Sequence, residues 1–166
     1  MAATAILRSP AVTRVRLALE SAGLDPEIVE LPGAAYTAKA AAAFLGCDVG
    51  QIANSLVFRA VESGRAVLVM SSGARRVDTA RLAQVVGEPI GKADADFVRN
   101  ATGFAIGGVA PAGHTGEIVA YVERSLAAYP KLWAAAGHPN TVFPLTYAEL
   151  LRLCGGREAD VAAPSP

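Results

Sequence analysis

The glycine-rich stretch ATGFAIGGVAPAGHTG, residues 101–116, is the feature that most constrains how this chain can fold. It holds five glycines, one proline and one of the two histidines of the chain, between two apolar runs. Glycine allows the backbone to adopt positive φ, and it allows a ligand to approach backbone N–H groups without a Cβ in the way. The stretch therefore predicts either a sharp bend or a loop whose backbone contacts a ligand, and its composition alone leaves both open.

Known phosphate-binding loops do not match this part of the chain. A Walker A loop would need a glycine where Val86 stands and a serine or threonine where Ala93 stands. A dinucleotide-binding fingerprint is excluded because Gly103, Gly107 and Gly108 have the wrong spacing. What remains is a glycine pair at the end of a strand. Neighbouring amides there can bind an anion or the oxyanion formed during ester cleavage.

Length and composition are those of a globular domain. The chain has 166 residues, of which 52% are apolar and 18% are charged, so it can bury a core of its own. No apolar run approaches the roughly 20 residues that a membrane-spanning helix needs. The N-terminus lacks a basic segment followed by an apolar one, so we expect no signal peptide and a cytoplasmic location.

The charge balance is neutral, because fifteen basic residues match fifteen acidic ones. This balance removes the simplest argument for nucleic-acid binding, which is a strongly basic domain. A small basic patch could still meet the end of an RNA, where few phosphates are contacted. Cys47 and Cys154 lie far apart without the spacing of metal ligands, so we expect neither a disulfide nor a zinc site.

Helix caps and alternating apolar residues predict an α+β domain. The predicted N-caps are Ser9, Thr37, Asp78, Asp94 and Thr146. The predicted strands cover residues 27–31, 52–61, 66–70, 118–122, 132–136 and 141–145. We find no repeat, linker or break in composition, so residues 1–157 are predicted to form one domain. Residues 158–166 are predicted to be a frayed tail.

Four segments of the sequence together resemble a known family. They are QIANSLVFRA (51–60), SSGARRVDTARLA (71–83), TGFAIGGVAPAGH (102–114) and WAAAGHPNTVFPLTYAEL (133–150). They resemble the YbaK/prolyl-tRNA-synthetase-associated (ProX-like) editing domains over roughly residues 35 to 155. Because several motifs match in order, this resemblance is far more specific than the glycines alone.

The resemblance implies a single compact α+β domain with a mixed, barrel-like β-sheet surrounded by helices. It also implies a trans-editing activity, the hydrolysis of the ester that joins a wrong amino acid to tRNA. Examples are alanine or cysteine on tRNA for proline, and serine or threonine on other tRNAs. The implied partner is the 3′ aminoacyl end of tRNA. No metal, organic cofactor or membrane is implied, and the oligomeric state stays open.

The resemblance assigns the candidate site residues as well. The predicted catalytic set is Asn54, Gly107, Gly108 and His138. The predicted substrate-binding set is Phe58, Ser72, Gly73, Phe104, Ile106, Val109, Pro111 and His114. In these roles the amides of the glycine pair line the aminoacyl pocket, and a positioned water or substrate hydroxyl attacks the ester. Judged as residues alone, Phe58, Phe104, Val109 and also Met70 are equally compatible with core positions.

The chain departs from the family at Asn54, where the family has a lysine. Asparagine offers only neutral donors and an acceptor, and charge-assisted hydrogen bonds are about twice as strong as neutral ones. A second interpretation therefore stays open, in which a non-catalytic module binds an aminoacyl or nucleotide ligand in the retained pocket. Arg75 or Arg76 in the next turn could supply the missing charge. A hydrolase of other small esters is a third interpretation.

Overall fold

The helices and the six predicted strands are found where the sequence predicts them, and the short strands at 90–92 and 158–159 were not predicted. The structure, a computed structural model, describes residues 4–164. Within this range the α-helices are α1 (Pro10–Ser21), α2 (Ala38–Leu45), α3 (Thr79–Val86), α4 (Ala95–Thr102) and α5 (Tyr147–Leu153). The strands are β1 (Val29–Glu30), β2 (Ala53–Ala60), β3 (Ala66–Ser72), β4 (Ile90–Lys92), β5 (Ile118–Glu123), β6 (Leu132–Ala135), β7 (Thr141–Leu145) and β8 (Glu158–Ala159). Two 3₁₀ helices, Val49–Gln51 and Arg124–Ala128, precede β2 and β6.

Local side-chain caps determine where the helices begin. Thr37 Oγ1 accepts a hydrogen bond from the Ala40 N–H at 3.0 Å, which satisfies one of the free donors at the start of α2. Thr146 and Glu149 form a reciprocal capping box at the start of α5. All five predicted N-caps, Ser9, Thr37, Asp78, Asp94 and Thr146, are confirmed.

The larger sheet has five strands in the order β4-β2-β3-β5-β8 and is mixed. β2 and β3 form an antiparallel hairpin in which Asn54 pairs with Ser71. β5 runs parallel to β3, and parallel neighbours need a long crossover connection. That crossover, residues 73–117, carries α3, β4, α4 and the glycine-rich stretch.

The smaller sheet has three antiparallel strands in the order β1-β7-β6. Within residues 4–164, one isolated parallel bridge, between Ile52 and Trp133, joins its backbone to that of the larger sheet. The chain is a single α+β domain, as predicted. The predicted barrel-like closure is wrong, because β1, β6 and β7 pair with one another instead of completing a continuous ring with the larger sheet.

The main core lies between the two sheets and α1. Phe104, Phe143, Leu68 and Met70 are almost completely buried there, together with Leu19 from α1. A second cluster covers the opposite face of the larger sheet, where Val67, Val69 and Ala60 pack against Leu82 of α3. None of the helices within residues 4–164 is long and apolar enough to cross a membrane.

The described part of the C-terminal tail is paired and not frayed. β8 pairs in parallel with the end of β5, and the Ala163 N–H donates to Arg76 O at 2.7 Å. Val161 and Ala162 are buried, so this segment gains both hydrogen bonds and apolar contact. The predicted fraying is therefore wrong for residues 158–164, and residues 165–166 lie outside the described range.

Candidate active site

A small cleft opens where the two sheets meet. Its walls come from the start of β2, from β6 and β7, from the loop at 106–109 and from the segment that leads into α2. We call it the junction cleft. Its volume is about 110 Å³, well below the roughly 300–1,000 Å³ of pockets for drug-sized ligands. The cleft can therefore enclose a small group such as an amino-acid side chain.

The junction cleft is uncharged. Its polar side chains are Tyr36, Thr37, Asn54, Ser55 and Thr141, and none of its lining residues is Lys, Arg, His, Asp or Glu. Arg75 does not replace the family's lysine here, because its guanidinium donates to Ala163 O at 3.0 Å and it lines a different hollow. Chemistry in this cleft must use neutral donors and acceptors.

Asn54 lines the cleft from the start of β2. Its side chain is half-buried and has no hydrogen-bond partner within residues 4–164. The hydroxyl of Ser71, directly across the strand pair, is buried and also lacks a partner in the described chain. Buried or half-buried polar groups are usually paired in folded proteins. An amide left open at a cleft wall is therefore available to a ligand.

The two glycines of the pair, Gly107 and Gly108, have different roles in the structure. Gly107 lines the cleft at φ +90°, and a Cβ added there would lie 2.8 Å from the Tyr36 ring. Gly108 is buried outside the lining, and its N–H donates to Ala105 O at 3.0 Å. A Cβ on Gly108 would come within 2.9 Å of His138 Cα. Gly108 thus permits close packing, whereas Gly107 presents its backbone to the cleft.

Two residues that line the cleft have backbone donors without a partner in the described chain. Within the described residues, neither the Ile106 N–H nor the Gly107 N–H donates to a protein acceptor. Consecutive free amides of this kind can stabilise a developing negative charge. Ile106 and Val109, both predicted to bind substrate, also line the cleft.

His138 lies beside the cleft, in the turn between β6 and β7. Its Nδ1 accepts a hydrogen bond from the Asn140 N–H at 3.0 Å, so the neutral ring carries its proton on Nε2. Its carbonyl accepts from both the backbone and the hydroxyl of Thr141. The neighbouring Pro139 and Thr141 line the cleft, but His138 itself does not.

Ser72 and Gly73 bond the segment that leads into β2, and neither residue lines the cleft. Ser72 Oγ donates to Gly50 O at 2.9 Å, and the Gly73 N–H donates to Ile52 O at 2.9 Å. A Cβ on Gly73 would lie 2.5 Å from Val49 O. Both residues therefore fix the 3₁₀ turn against the start of β2, which in turn positions Asn54.

The other predicted substrate-binding residues lie away from the cleft. Phe58 packs in the cluster with Val67 and Leu82 on the outer face of the larger sheet, and Phe104 is buried in the main core. Pro111 and His114 line a separate, open hollow beside α4. Periodicity could not separate these positions, because apolar residues near a motif look the same whether they line a cleft or a core.

His114 stabilises the loop in which it lies. Its Nε2 is 2.7 Å from Ala110 O, and its ring meets Phe104 edge-on at 6.0 Å. Burial lowers the pKa of His114 below 6.5, and the hydrogen bond to Ala110 opposes this effect only in part. The ring is therefore neutral at pH 7 and donates to Ala110 O from Nε2.

Sequence reasoning missed Arg14, which holds the glycine-rich stretch from α1. Its NH2 group donates to Gly103 O at 2.7 Å, and its Nε donates to Gly113 O at 3.3 Å. Its guanidinium lies 4.9 Å from the centre of the Phe104 ring. The sequence signal was weak, because an arginine beside the apolar stripe of a helix usually faces solvent.

Tyr36 and Trp133 were also missed, although both line the cleft. Tyr36 precedes the cap of α2 and Trp133 lies within β6, so neither belongs to the glycine-rich motif. Among the residues that the structure describes, no group of three or more His, Cys, Asp or Glu side chains is arranged to hold a metal ion.

A family model described as an aminoacyl-tRNA editing domain matches residues 33–153. The chain belongs to this family. Every residue that lines the junction cleft falls within the matched segment of the editing domain. α1 and β8 lie outside it.

Similar proteins agree with this assignment. The uncharacterized protein YwhH of Bacillus subtilis (strain 168) is 29% identical over 126 residues, which are 76% of this chain and 80% of YwhH. A solved structure of a protein proposed as a trans-editing enzyme for prolyl tRNA synthetase is 44% identical, with a TM-score of 0.86 over 94% of this chain and 99% of that one. The hypothetical protein APE2540 is 27% identical, with a TM-score of 0.83 over 90% of this chain and 99% of that one.

Proposed function

We propose that this editing domain is a trans-acting deacylase that hydrolyses the ester of a mischarged tRNA. The observation that carries the proposal is the junction cleft. There the unpartnered amide of Asn54 shares a small apolar cavity with Ile106 and Gly107, whose N–H groups are free of protein acceptors in the described chain. The reaction belongs in the cytoplasm, where charged tRNA is used.

In the proposed reaction a water molecule, positioned by the cleft or by a ribose hydroxyl, attacks the carbonyl carbon of the ester. The new bond joins the water oxygen to that carbon, and the bond to the ribose oxygen breaks. The proton lost by the water passes to the ribose oxygen, so the products are a free amino acid and a deacylated tRNA. The N–H groups of Ile106 and Gly107 stabilise the negative charge on the carbonyl oxygen. No protein nucleophile is required.

Asn54 orients the substrate in this scheme. Its Nδ2 group donates to the ester carbonyl or to the neighbouring ribose hydroxyl, and its Oδ1 atom can accept a hydrogen bond. Without a charged side chain in the cleft lining, the transition-state charge is held by the dipoles of neutral donors. Such dipoles act strongly where water is excluded.

The size of the cleft limits the substrate to small amino acids. Synthetases separate side chains that differ by one methylene by only about 1–3 kcal/mol, so a second site that admits small side chains improves accuracy. The similarity to a protein proposed to edit for prolyl tRNA synthetase favours tRNA for proline carrying alanine or cysteine. Serine or threonine on other tRNAs are the next substrates to compare.

The first prediction concerns Asn54. Purified protein is incubated with a panel of mischarged tRNAs, and release of amino acid is followed over time. We expect hydrolysis of at least one tRNA, and we expect Asn54→Ala to lower kcat/KM by about 10- to 100-fold, since a lost hydrogen bond in a closed site costs about 1–3 kcal/mol. Leu17→Ala, an exposed change on α1, is the control. Release no faster than the uncatalysed rate for every tRNA would refute the proposal.

A second candidate function is a non-catalytic module that binds an aminoacyl or nucleotide ligand. The uncharged cleft favours it, because the family's lysine is absent and no other cation lines the cavity. The variant Asn54→Lys separates the two functions. Gain of hydrolysis by an otherwise inert protein supports the binding module, whereas activity in the wild type that Asn54→Ala lowers as predicted supports the deacylase.

A further inference from the structure

Two exposed apolar side chains form the mouth of the junction cleft. Tyr36 is 67% exposed and Ile106 is 51% exposed, and both line the cleft. The other large hydrophobic side chains of comparable exposure, Leu17 and Val61, do not line it. Apolar surface at the rim of a cleft can be covered by the part of a ligand that stays outside the cleft.

The backbone holds Tyr36 in a fixed place. The Ala35 N–H donates to Pro139 O at 2.8 Å on one side, and Thr37 caps α2 on the other. The ring lies across Gly107, where any Cβ would contact it. Its hydroxyl has no hydrogen-bond partner within residues 4–164, so the ring is positioned by packing and its outer face is open. A pre-positioned aromatic ring loses little entropy when a ligand stacks on it.

The cleft itself is too small for a nucleoside. Its volume of about 110 Å³ suits the aminoacyl group, and the ribose and base are joined to that group through the ester. If the ester carbon reaches the amides of Ile106 and Gly107, the terminal nucleoside must remain outside, at the mouth. Every base has a flat π-face that can stack on an aromatic ring, whatever its sequence context.

A positive charge lies beside the same cleft. Lys131 is exposed, and its Nζ atom is 4.5 Å from the centre of the ring of Trp133, a lining residue. Lys131 has no ion-pair partner among the described residues. Its ammonium group can therefore meet a backbone phosphate near the end of an RNA.

We propose that Tyr36 stacks on the adenine of the terminal nucleoside of tRNA, with Ile106 in apolar contact with the same nucleoside. This inference rests on the proposed deacylase function and adds the element that recognises the RNA end. Tyr36 selects an aminoacyl ester attached to a nucleoside over a free amino-acid ester, while the cleft selects the amino acid.

The test measures binding of two RNA microhelices to the full chain by fluorescence anisotropy. One ends in a deacylated CCA, and the other carries an abasic ribose at its 3′ end. We expect Tyr36→Ala to weaken binding of the CCA-ended RNA by about tenfold and to leave binding of the abasic RNA unchanged. Stacking on one base is large enough for such an effect. Tyr36→Phe, which keeps the ring, should restore most of the affinity, and Leu17→Ala should match the wild type.

The outcomes separate this inference from the deacylase proposal. Equal binding of the CCA-ended RNA by wild type and Tyr36→Ala would overturn the stacking role, even if the wild type hydrolyses mischarged tRNA. An equal loss on both RNAs, or a loss that Tyr36→Phe does not restore, would overturn it as well. Binding that depends on Tyr36, in a wild type that releases no amino acid, would support stacking and refute the deacylase.

Discussion

At the scale of single residues, the candidate chemistry depends on groups that have no partner in the protein. The side chain of Asn54 and the N–H groups of Ile106 and Gly107 have no hydrogen-bond partner in the described chain. In contrast, the Gly108 N–H and the His138 Nδ1 atom already form hydrogen bonds within their own loops. The predicted catalytic roles of Gly108 and His138 stay predictions. Their contacts here hold the glycine loop against the turn between β6 and β7.

Gly107 allows the steric and the functional roles of a cleft glycine to be separated. Gly107→Ala places a Cβ at φ +90° and 2.8 Å from the Tyr36 ring, so we expect a loss of about 1–3 kcal/mol of stability and a marked loss of deacylase activity. Gly87→Ala is the matched control, because Gly87 has φ +93° with nothing within 4 Å of the added Cβ. Urea unfolding and amino-acid release are measured on both variants. Equal activity losses in the two would contradict the role of Gly107 in the cleft.

The sequence could name Asn54 and Gly107 because each belongs to a short motif. It could not distinguish them from Phe58, which shares the motif of Asn54 but packs in the outer cluster, or from Ser72, which lies in a third motif and bonds the 3₁₀ turn. Whether a residue of a motif lines the cleft depends on neighbours that lie far along the chain, which the motif does not encode. Conversely, Tyr36 lines the cleft although it belongs to none of the motifs.

At the scale of elements, α1 controls the shape of the glycine-rich stretch. The family model starts after α1, yet Arg14 on α1 bonds the carbonyls of both Gly103 and Gly113. These two residues flank the segment that contains Gly107. A helix outside the shared segment thus sets the span of the loop that carries the proposed oxyanion donors.

Removal of the Arg14 guanidinium should loosen this loop. Arg14→Met keeps the apolar stem but leaves two carbonyls without their donor, so we expect about 1.5–3 kcal/mol less stability and faster amide exchange across residues 103–113. Arg16→Met is the control, because Arg16 bonds only Leu7 O near the N-terminus among the described contacts. Hydrogen exchange followed by mass spectrometry measures the exchange rates of the loop amides directly. Unchanged exchange there in Arg14→Met would show that the loop holds its shape unaided.

Helices and hairpins were predictable because their signals are local. A cap and an alternating run act within a few residues, and all five N-caps and the β2–β3 hairpin are confirmed. β8 carries no such signal. Its segment is short, lies close to the C-terminus and is ordered by pairing with β5, so only the tertiary structure reveals it.

At the scale of the whole molecule, the C-terminal segment closes the edge of the larger sheet. Deletion of residues 158–166 removes β8 and the buried Val161 and Ala162, so we expect about 2–4 kcal/mol less stability, by analogy with the burial of one or two apolar side chains. Asp160→Ala is the control, because its ion pairs with Arg81 and Arg124 are exposed and such pairs contribute little. Urea denaturation is the measurement. Equal urea midpoints for the deletion variant and the wild type would show that this segment adds no stability, as expected of a frayed tail.

Local sequence patterns could not predict how the two sheets are arranged. The α+β class follows from the mixture of helices and strands, but closure depends on which strand edges meet. Here one bridge, Ile52 to Trp133, joins the sheets. Residues beside this bridge line the junction cleft, together with the loop at 106–109, so no single motif encodes the candidate site.

The crossover between β3 and β5 also bears on when the site can form. Hairpins and helices close over short distances, whereas the pairing of β3 with β5 must wait for the whole segment between them to be brought around. The glycine-rich loop lies within that segment. A chain in which β3 and β5 have not yet paired therefore lacks the cleft, because the loop that forms one of its walls is not held in place.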